Sequence, residues 1–132
     1  MAVINDEMIK LLEEARLWIL ATADRDGMPN AVPIRWTKIL ANDTLMLVDN
    51  YMRKSVENIA ANPNVAISVW KDSTGYQFKG TASIETSGVN FENGKKMALE
   101  GNPKLNPKGV VILRVDSIFL TSPGAEAGKK LA

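Results

Sequence analysis

The chain has 132 residues, a length typical of one domain with one hydrophobic core. It is 45% apolar and 23% charged, and 16 basic against 15 acidic residues leave a net charge of +1, which gives no global field for nucleic acid or an anionic membrane. Cys and His are absent, which excludes disulfides, thiol nucleophiles, His general bases and zinc sites of the usual type.

The first element is predicted to be a helix. Apolar residues recur at the spacing of one helical face, at Met8, Leu11, Leu12 and Ala15. Asn5 is the expected N-cap residue, with Asp6 and Glu7 in the first turn, where the helix dipole favours acidic side chains.

No targeting or membrane-spanning segment is expected. Charged residues interrupt the first fourteen positions, whereas a signal peptide needs a basic start followed by an unbroken apolar stretch. The longest apolar run, Leu17–Ala23, is too short to cross a bilayer. These observations predict a cytoplasmic protein.

After the first helix the pattern is typical of strands. Strands are predicted at Leu17–Ala23, Asn30–Leu40, Thr44–Asp49, Val65–Trp70 and Tyr76–Glu85, and a last strand at Val110–Val115 and Ile118–Thr121, broken at Asp116–Ser117. Strict alternation of apolar and polar residues is clearest in the fifth strand, which predicts one solvated face. Six strands joined mostly by short turns predict an antiparallel barrel or sandwich in a single domain, residues 1–132.

Two further helices and a tail complete the prediction. The first, Arg53–Ala61, ends at Asn62 because the residue before a proline avoids helical geometry. The second runs over Val89–Glu100, with Ser87 as its expected cap. Ser122–Ala132 is predicted to be a loose C-terminal tail.

The turn from Asp49 to Ser55 is the candidate binding site. A strand ends there and a helix begins with Arg53, Lys54 and Ser55 in or near its first turn. Free N–H groups and the dipole already make a helix N-terminus positive, so two cations cost stability there unless an anion lies nearby. A bound phosphate would meet amides, guanidinium, ammonium and hydroxyl together. The alternative is that both cations simply face water.

A second candidate segment is Pro29–Trp36. Prolines at positions 29 and 33 remove two donors from a strand ladder and leave neighbouring backbone groups free to meet a polar ligand. An ordinary edge strand explains the same pattern. Trp18, Trp36 and Trp70 suggest an aromatic-lined pocket, although core packing is the commoner role of such residues. Gln77 and Lys79 are expected on a solvated strand face.

Motifs for other chemistry are missing. The sequence has no glycine-rich dinucleotide loop, no Walker loop and no serine-centred nucleophile elbow. No carboxylate pair stands in an apolar setting that would raise a pKa. Catalytic residues cannot be named from the sequence. A catalyst of this composition would take its chemistry from a cofactor, or would use carboxylates, Lys, Tyr or backbone groups.

Taken together, these segments resemble a known superfamily. The order "WILATADRDGMPNAVPI", "LVDNYMRKSVENIAANPNVAISVW", "GYQFKGTASIETSG" and "GVVILRVDSIFLTSPG" is similar to small single-domain members of the pyridoxamine phosphate oxidase-like, FMN-binding split-barrel superfamily. The block "DNYxRKSxENIxxNPxV" is the most specific part of this resemblance, which spans about Met8 to Gly124.

The resemblance implies a six-stranded antiparallel split β-barrel that forms a homodimer and binds FMN without a covalent bond at the subunit interface. It implies phosphate contacts from Arg53, Lys54 and Ser55, and ring contacts from the backbone at Asn30, Ala31, Val32, Pro33, Asp49 and Asn50, with Gln77 on a strand that reaches the ring in relatives. The implied function is a small oxidoreductase or electron carrier. No metal, nucleic acid or membrane partner is implied.

The chain also departs from the superfamily's name-giving enzyme. That enzyme carries a C-terminal block with Arg and Trp that helps to hold its substrate, whereas this sequence ends in "AEAGKKLA". Vitamin B6 oxidase activity is therefore not expected. A non-catalytic protein that binds or stores flavin, or senses redox state, remains an alternative, as does a purely structural dimerisation domain. FAD or a deazaflavin could replace FMN, but the absence of His argues against a His-ligated haem.

Overall fold

The computed structural model describes residues 2–132. In this range one antiparallel sheet has the strand order β2-β1-β5-β6-β7-β4-β3. The strands are β1 (Trp18–Ala23), β2 (Pro29–Ile34), β3 (Thr37–Ala41), β4 (Thr44–Asp49), β5 (Asn64–Lys71), β6 (Thr74–Glu85) and β7 (Gly109–Leu120). The helices are α1 (Asp6–Glu14), α2 (Lys54–Ala61) and α3 (Val89–Gly101). The sheet curls into a half-barrel, so the predicted mainly β split-barrel class is confirmed.

The described chain has seven strands rather than the six predicted. The predicted strand Asn30–Leu40 is two strands, β2 and β3, separated at Arg35 and Trp36. Strand β2 pairs with β1 at one edge of the sheet, and β3 pairs with β4 at the other. A local run of strand-forming residues does not reveal that the chain changes partners halfway along, because pairing is decided by distant segments. The edge position that Pro33 predicts is confirmed for β2.

The predicted break at Asp116–Ser117 is a bulge inside a continuous strand. Lys79 pairs with Ser117 and Gly80 pairs with Val115, which leaves Asp116 as the extra residue of β7. Gly80 permits this close approach, since a Cβ at that position would collide with the Arg114 carbonyl oxygen.

Helix caps and the C-terminal segment differ in part from expectation. Asn5 caps α1 as predicted, and its Oδ1 accepts a hydrogen bond from the Met8 N–H at 2.9 Å. Gly88, not Ser87, occupies the N-cap position of α3, with a φ of 95° that favours glycine. Residues 128–132 are not loose, because their backbone groups hydrogen-bond to those of Ile118 and Leu120 on β7.

The protein has two hydrophobic clusters, and β4 contributes to both. The larger cluster fills the inside of the sheet beneath α1 and α2 and includes Leu45 and Leu47. The smaller one lies between α3 and the other face of the sheet and includes Met46 and Val48. Strand β4 is therefore buried on both faces. No helix within residues 2–132 combines the length and apolar character needed to span a membrane.

Candidate functional site

The turn after β4 is shaped by Asp49. Its Oδ1 accepts a hydrogen bond from the Met52 N–H at 2.9 Å, and its carbonyl oxygen accepts one from the Lys108 N–H at 2.9 Å. The residue is 5% exposed, and burial raises the pKa of its carboxyl group above the usual value, against a smaller lowering by the Met52 hydrogen bond. Asp49 thus closes the turn by a local side-chain-to-backbone bond.

The beginning of α2 carries free backbone N–H groups and two cationic side chains. Arg53 is the N-cap residue and makes no side-chain capping bond, and the first helical bond runs from the Glu57 N–H to the Arg53 carbonyl oxygen at 3.1 Å. The N–H groups of the first helical turn therefore have no partner inside the helix. Within residues 2–132, neither Arg53 nor Lys54 forms a salt bridge. Glu57 is the acidic residue of the first turn, but among the described residues it forms no salt bridge with either cation.

Asn30 connects strand β2 to this helix. Its Nδ2 donates a hydrogen bond to Ser55 Oγ at 3.2 Å, and Ser55 is only 2% exposed. A hydroxyl group can donate one hydrogen bond while it accepts another. Because the Ser55 oxygen accepts from Asn30, its own hydrogen is free to be donated to a ligand.

A cleft of about 770 Å³ opens between these elements and the end of α3. Its size is that of a small-molecule or cofactor site. Seven of the sequence-predicted residues line it: Asn30, Val32, Pro33, Asn50, Arg53, Lys54 and Ser55. The described lining also includes Arg35 and holds no acidic residue, although the whole chain is nearly neutral. The cleft is therefore suited to an anionic ligand.

Three predicted residues do not line the cleft. Ala31 is an exposed residue of β2 and is not among the described residues that line the cleft. Asp49 is buried, and its side chain is bonded to the Met52 N–H within the turn. Gln77 is on the outward face of β6, opposite Ser68 of β5. Their predicted contacts with a cofactor remain predictions.

One wall of the cleft consists of the end of α3 and the following loop, at Gly101, Asn102 and Leu105, and sequence reasoning did not find it. Trp36, which the sequence suggested as a pocket residue, lies against this wall. Gly101 lies so close to the Trp36 ring that an added Cβ would collide with it. Trp36 carried a weak signal as an aromatic residue near Pro33, but no local pattern points from residues 101–105 to this site.

The other tryptophans have different roles. Trp18 is a core residue, 2% exposed, and its Nε1 donates to the Leu12 carbonyl oxygen at 3.0 Å. Trp70 is 56% exposed on β5. Of the three tryptophans, Trp36 alone is among the described residues that line the cleft, where Tyr51 is a second aromatic residue.

Asn50 supplies a buried polar atom with no partner. The residue is 9% exposed and lines the cleft, and its Oδ1 has no hydrogen-bond donor among residues 2–132. A buried acceptor without a donor costs about 1–3 kcal/mol, so such an atom requires an explanation. A ligand that presents an N–H or O–H group in the cleft would satisfy it.

A curled antiparallel sheet with a cationic cleft beside its edge strand defines a small split-barrel protein. The chain belongs to the pyridoxamine 5'-phosphate oxidase family, whose sequence model matches residues 4–122. This confirms the resemblance described above.

Two proteins of more than 30% identity and one solved structure of lower identity are similar to this chain. An uncharacterized protein of Methanocaldococcus jannaschii is 35% identical, over 98% of this chain and 88% of its own length. The crystal structure of HupZ from Group A Streptococcus is 34% identical and covers 95% of this chain and 99% of its own, with a TM-score of 0.82. An FMN-binding protein from Syntrophomonas wolfei shares the fold at 20% identity, with a TM-score of 0.75 over 88% of this chain and 89% of its own.

Proposed function

We propose that this protein binds FMN non-covalently in the cleft and serves as a small oxidoreductase or electron carrier. The observation that carries the proposal is the start of α2, where Arg53, Lys54 and the buried Ser55 face a cleft without acidic residues. Family membership and the FMN-binding relative with the same fold support the choice of flavin among anionic ligands.

The phosphate of FMN matches the donors at the start of α2. A dianionic phosphate would be met by the free N–H groups of the first turn, the Arg53 guanidinium, the Lys54 ammonium and the Ser55 hydroxyl. The same anion would offset the cost of two cations at a helix N-terminus. No covalent attachment is needed.

The flavin ring matches the remaining walls. Its flat apolar part fits a surface with Val32, Trp36 and Leu105, while the exposed edge of β2 and the Asn50 carboxamide offer hydrogen-bonding groups for its polar edge. When bound, the flavin supplies hydride or single-electron transfer, chemistry that no side chain of this protein provides. The residues of the chain bind and orient the cofactor.

A non-catalytic flavin-binding, storage or redox-sensing role is the second candidate. The cleft lining within residues 2–132 contains no Asp, Glu, His or Cys, the side chains that most often transfer protons in enzymes. Tyr51 and Lys54 are the lining side chains that could transfer a proton, so catalysis in the cleft would depend chiefly on electron or hydride transfer by the cofactor. The absence of His and Cys also removes two common ligands of haem iron, which favours flavin over haem.

A homodimer is part of the proposal. The outward face of the sheet carries Ile19, Ser68, Gln77 and Phe119 in one row across β1, β5, β6 and β7, and this row has no charged residue. Pro33 is paired with Ile19 and also lines the cleft, so a second copy on this face would border the site. The face is suited to close contact with another copy of the chain.

The decisive experiment is to purify the protein and identify its bound small molecule by absorbance and mass. We expect a yellow protein that releases FMN on denaturation, with one FMN per chain and the mass of a dimer in light scattering. A colourless protein that fails to take up added FMN would overturn the proposal. Reduction of the bound FMN by a nicotinamide donor would favour the oxidoreductase, and binding without turnover would favour the non-catalytic role.

A further inference from the structure

Two hydrogen bonds attach one face of α2 to the hairpin of β1 and β2. Thr22 on β1 lies directly opposite Asn30 on β2. Asn58 Nδ2 donates to Thr22 Oγ1 at 3.0 Å, and Asn30 Nδ2 donates to Ser55 Oγ at 3.2 Å. Ser55 and Asn58 are three residues apart, so they lie on the same side of the helix. A pair of facing strand residues thus holds one full turn of α2.

These bonds are partly buried and directional. Thr22 is 4% exposed and Ser55 is 2% exposed. The apolar contact of α2 with the core comes from Ile59, and apolar burial by itself does not fix the rotation of a helix about its axis. Hydrogen bonds weaken steeply when their angle departs from linearity. The two bonds therefore fix the rotation of α2 and the direction of its first turn.

We infer that Thr22 and Asn58 are positioning residues for the anion site at the start of α2. Neither residue is among the described residues that line the cleft, so neither would touch the ligand. They act through the helix, because the Asn58–Thr22 bond holds the second turn of α2 in place. The Ser55 hydroxyl and the N–H groups of the first turn thereby keep their direction towards the anion position. This inference rests on the proposed binding of a phosphate-bearing flavin.

The test compares FMN with riboflavin, the same flavin without the phosphate. Thr22→Val keeps the shape of the side chain but removes the acceptor of Asn58. We expect Thr22→Val to raise the Kd of FMN about three- to tenfold, a change typical of one lost hydrogen bond, and to change the Kd of riboflavin less than about twofold. Thr22→Ser keeps the hydroxyl and should restore FMN binding. Thr81→Val, at an exposed strand position, is the matched control and should change neither Kd.

Asn58→Ala provides a second variant, should Thr22→Val fold poorly. It removes the donor from a half-buried helix position and should weaken FMN binding as Thr22→Val does. The double variant should be no worse than the more affected single variant, since both break the same bond. Equal losses for FMN and riboflavin, or no loss for either, would overturn the positioning role. A wild-type protein that binds neither flavin would overturn the proposed function instead, and the inference with it.

Discussion

Asn30 Nδ2 lies 3.2 Å from Ser55 Oγ and donates a hydrogen bond to it, although the two residues are 25 positions apart. Asn30 belongs to the edge strand and Ser55 to the first turn of α2. The bond joins the two segments that the sequence marks separately as candidate ligand-binding segments. It also leaves the Ser55 hydrogen free for an anion, so a contact within the protein determines how the protein can contact a ligand.

Removing both cations at the start of α2 should weaken FMN binding without loss of fold. In Arg53→Ala with Lys54→Ala, each lost charge-assisted hydrogen bond should reduce the binding free energy by about 1.5–3 kcal/mol. The free energy of unfolding should stay the same or rise slightly, because cations at a helix N-terminus are unfavourable. Fluorescence titration and urea unfolding measure the two effects.

The control for the charge removal is Arg25→Ala with Lys96→Ala. This pair removes the same two charges at exposed positions outside the cleft. We expect FMN affinity close to that of the wild type. If the control pair weakened FMN binding as much as the loss of Arg53 and Lys54, overall charge and not local contact would explain the result.

Replacing Asn50 should separate stability from binding. Asn50→Leu removes a buried acceptor that has no donor among residues 2–132, so the free energy of unfolding measured without FMN should rise by about 1 kcal/mol. FMN affinity should fall, because the ligand loses its partner and the cleft loses a polar group. Urea unfolding without FMN measures the expected gain in stability, and urea unfolding with FMN measures the expected loss of affinity. A variant that is less stable and binds FMN normally would show that Asn50 has only a structural role.

Asp49 should give the protein a pH-dependent loss of stability. Burial raises the pKa of Asp49 above its usual value of 3.8, so the folded protein holds the proton more tightly than the unfolded chain does. Its contribution is therefore greatest below pH 3.8 and is lost as the pH rises to the folded pKa. Asp49→Asn keeps an acceptor for the Met52 N–H but cannot ionise.

Urea unfolding of Asp49→Asn and wild type at several pH values measures this effect. The stability of the variant relative to wild type should increase as the pH rises from 3.8 and become constant above the folded pKa. Asp49→Ala, which loses the acceptor, should be less stable than Asp49→Asn by about 0.5–1.5 kcal/mol at every pH. A difference between Asp49→Asn and wild type that is flat with pH would contradict the prediction.

Gly101→Ala should disturb the aromatic wall of the cleft. The added methyl group collides with the Trp36 ring, so the ring must move or the helix end must shift. Overpacking of this kind costs about 1–3 kcal/mol of stability, more than the gain from replacing glycine in a helix. We expect a lower free energy of unfolding, a changed tryptophan emission spectrum and weaker binding of both FMN and riboflavin.

Removing the ring gives the matched control for Gly101. In a Trp36→Ala background the collision is absent, so Gly101→Ala should be neutral or stabilising there. The sign of the effect should therefore reverse between the two backgrounds. The same loss in both backgrounds would mean that the alanine acts on the helix end itself.

Local patterns predicted much of the fold. Asn5 caps α1 as expected, and the alternation from Tyr76 to Glu85 lies within β6. The predictions were wrong where distant segments decide the outcome. Asn30–Leu40 divides into β2 and β3 at opposite edges of the sheet. The predicted break at Asp116 is a bulge within a continuous strand, which Gly80 of the partner strand permits.

The sequence by itself determined the start of α2 as the candidate anion site. Arg53, Lys54 and Ser55 are contiguous there, and two cations and a hydroxyl beside the free N–H groups of a helix N-terminus are suited to an anion. Only the tertiary structure decided what else surrounds the cleft. Trp36 meets Gly101 across 65 positions of sequence, and the buried Asn50 Oδ1 in the cleft lining has no donor among residues 2–132. Such contacts depend on strand pairing and on packing between distant segments. A local pattern of residues therefore does not identify which distant residues will meet.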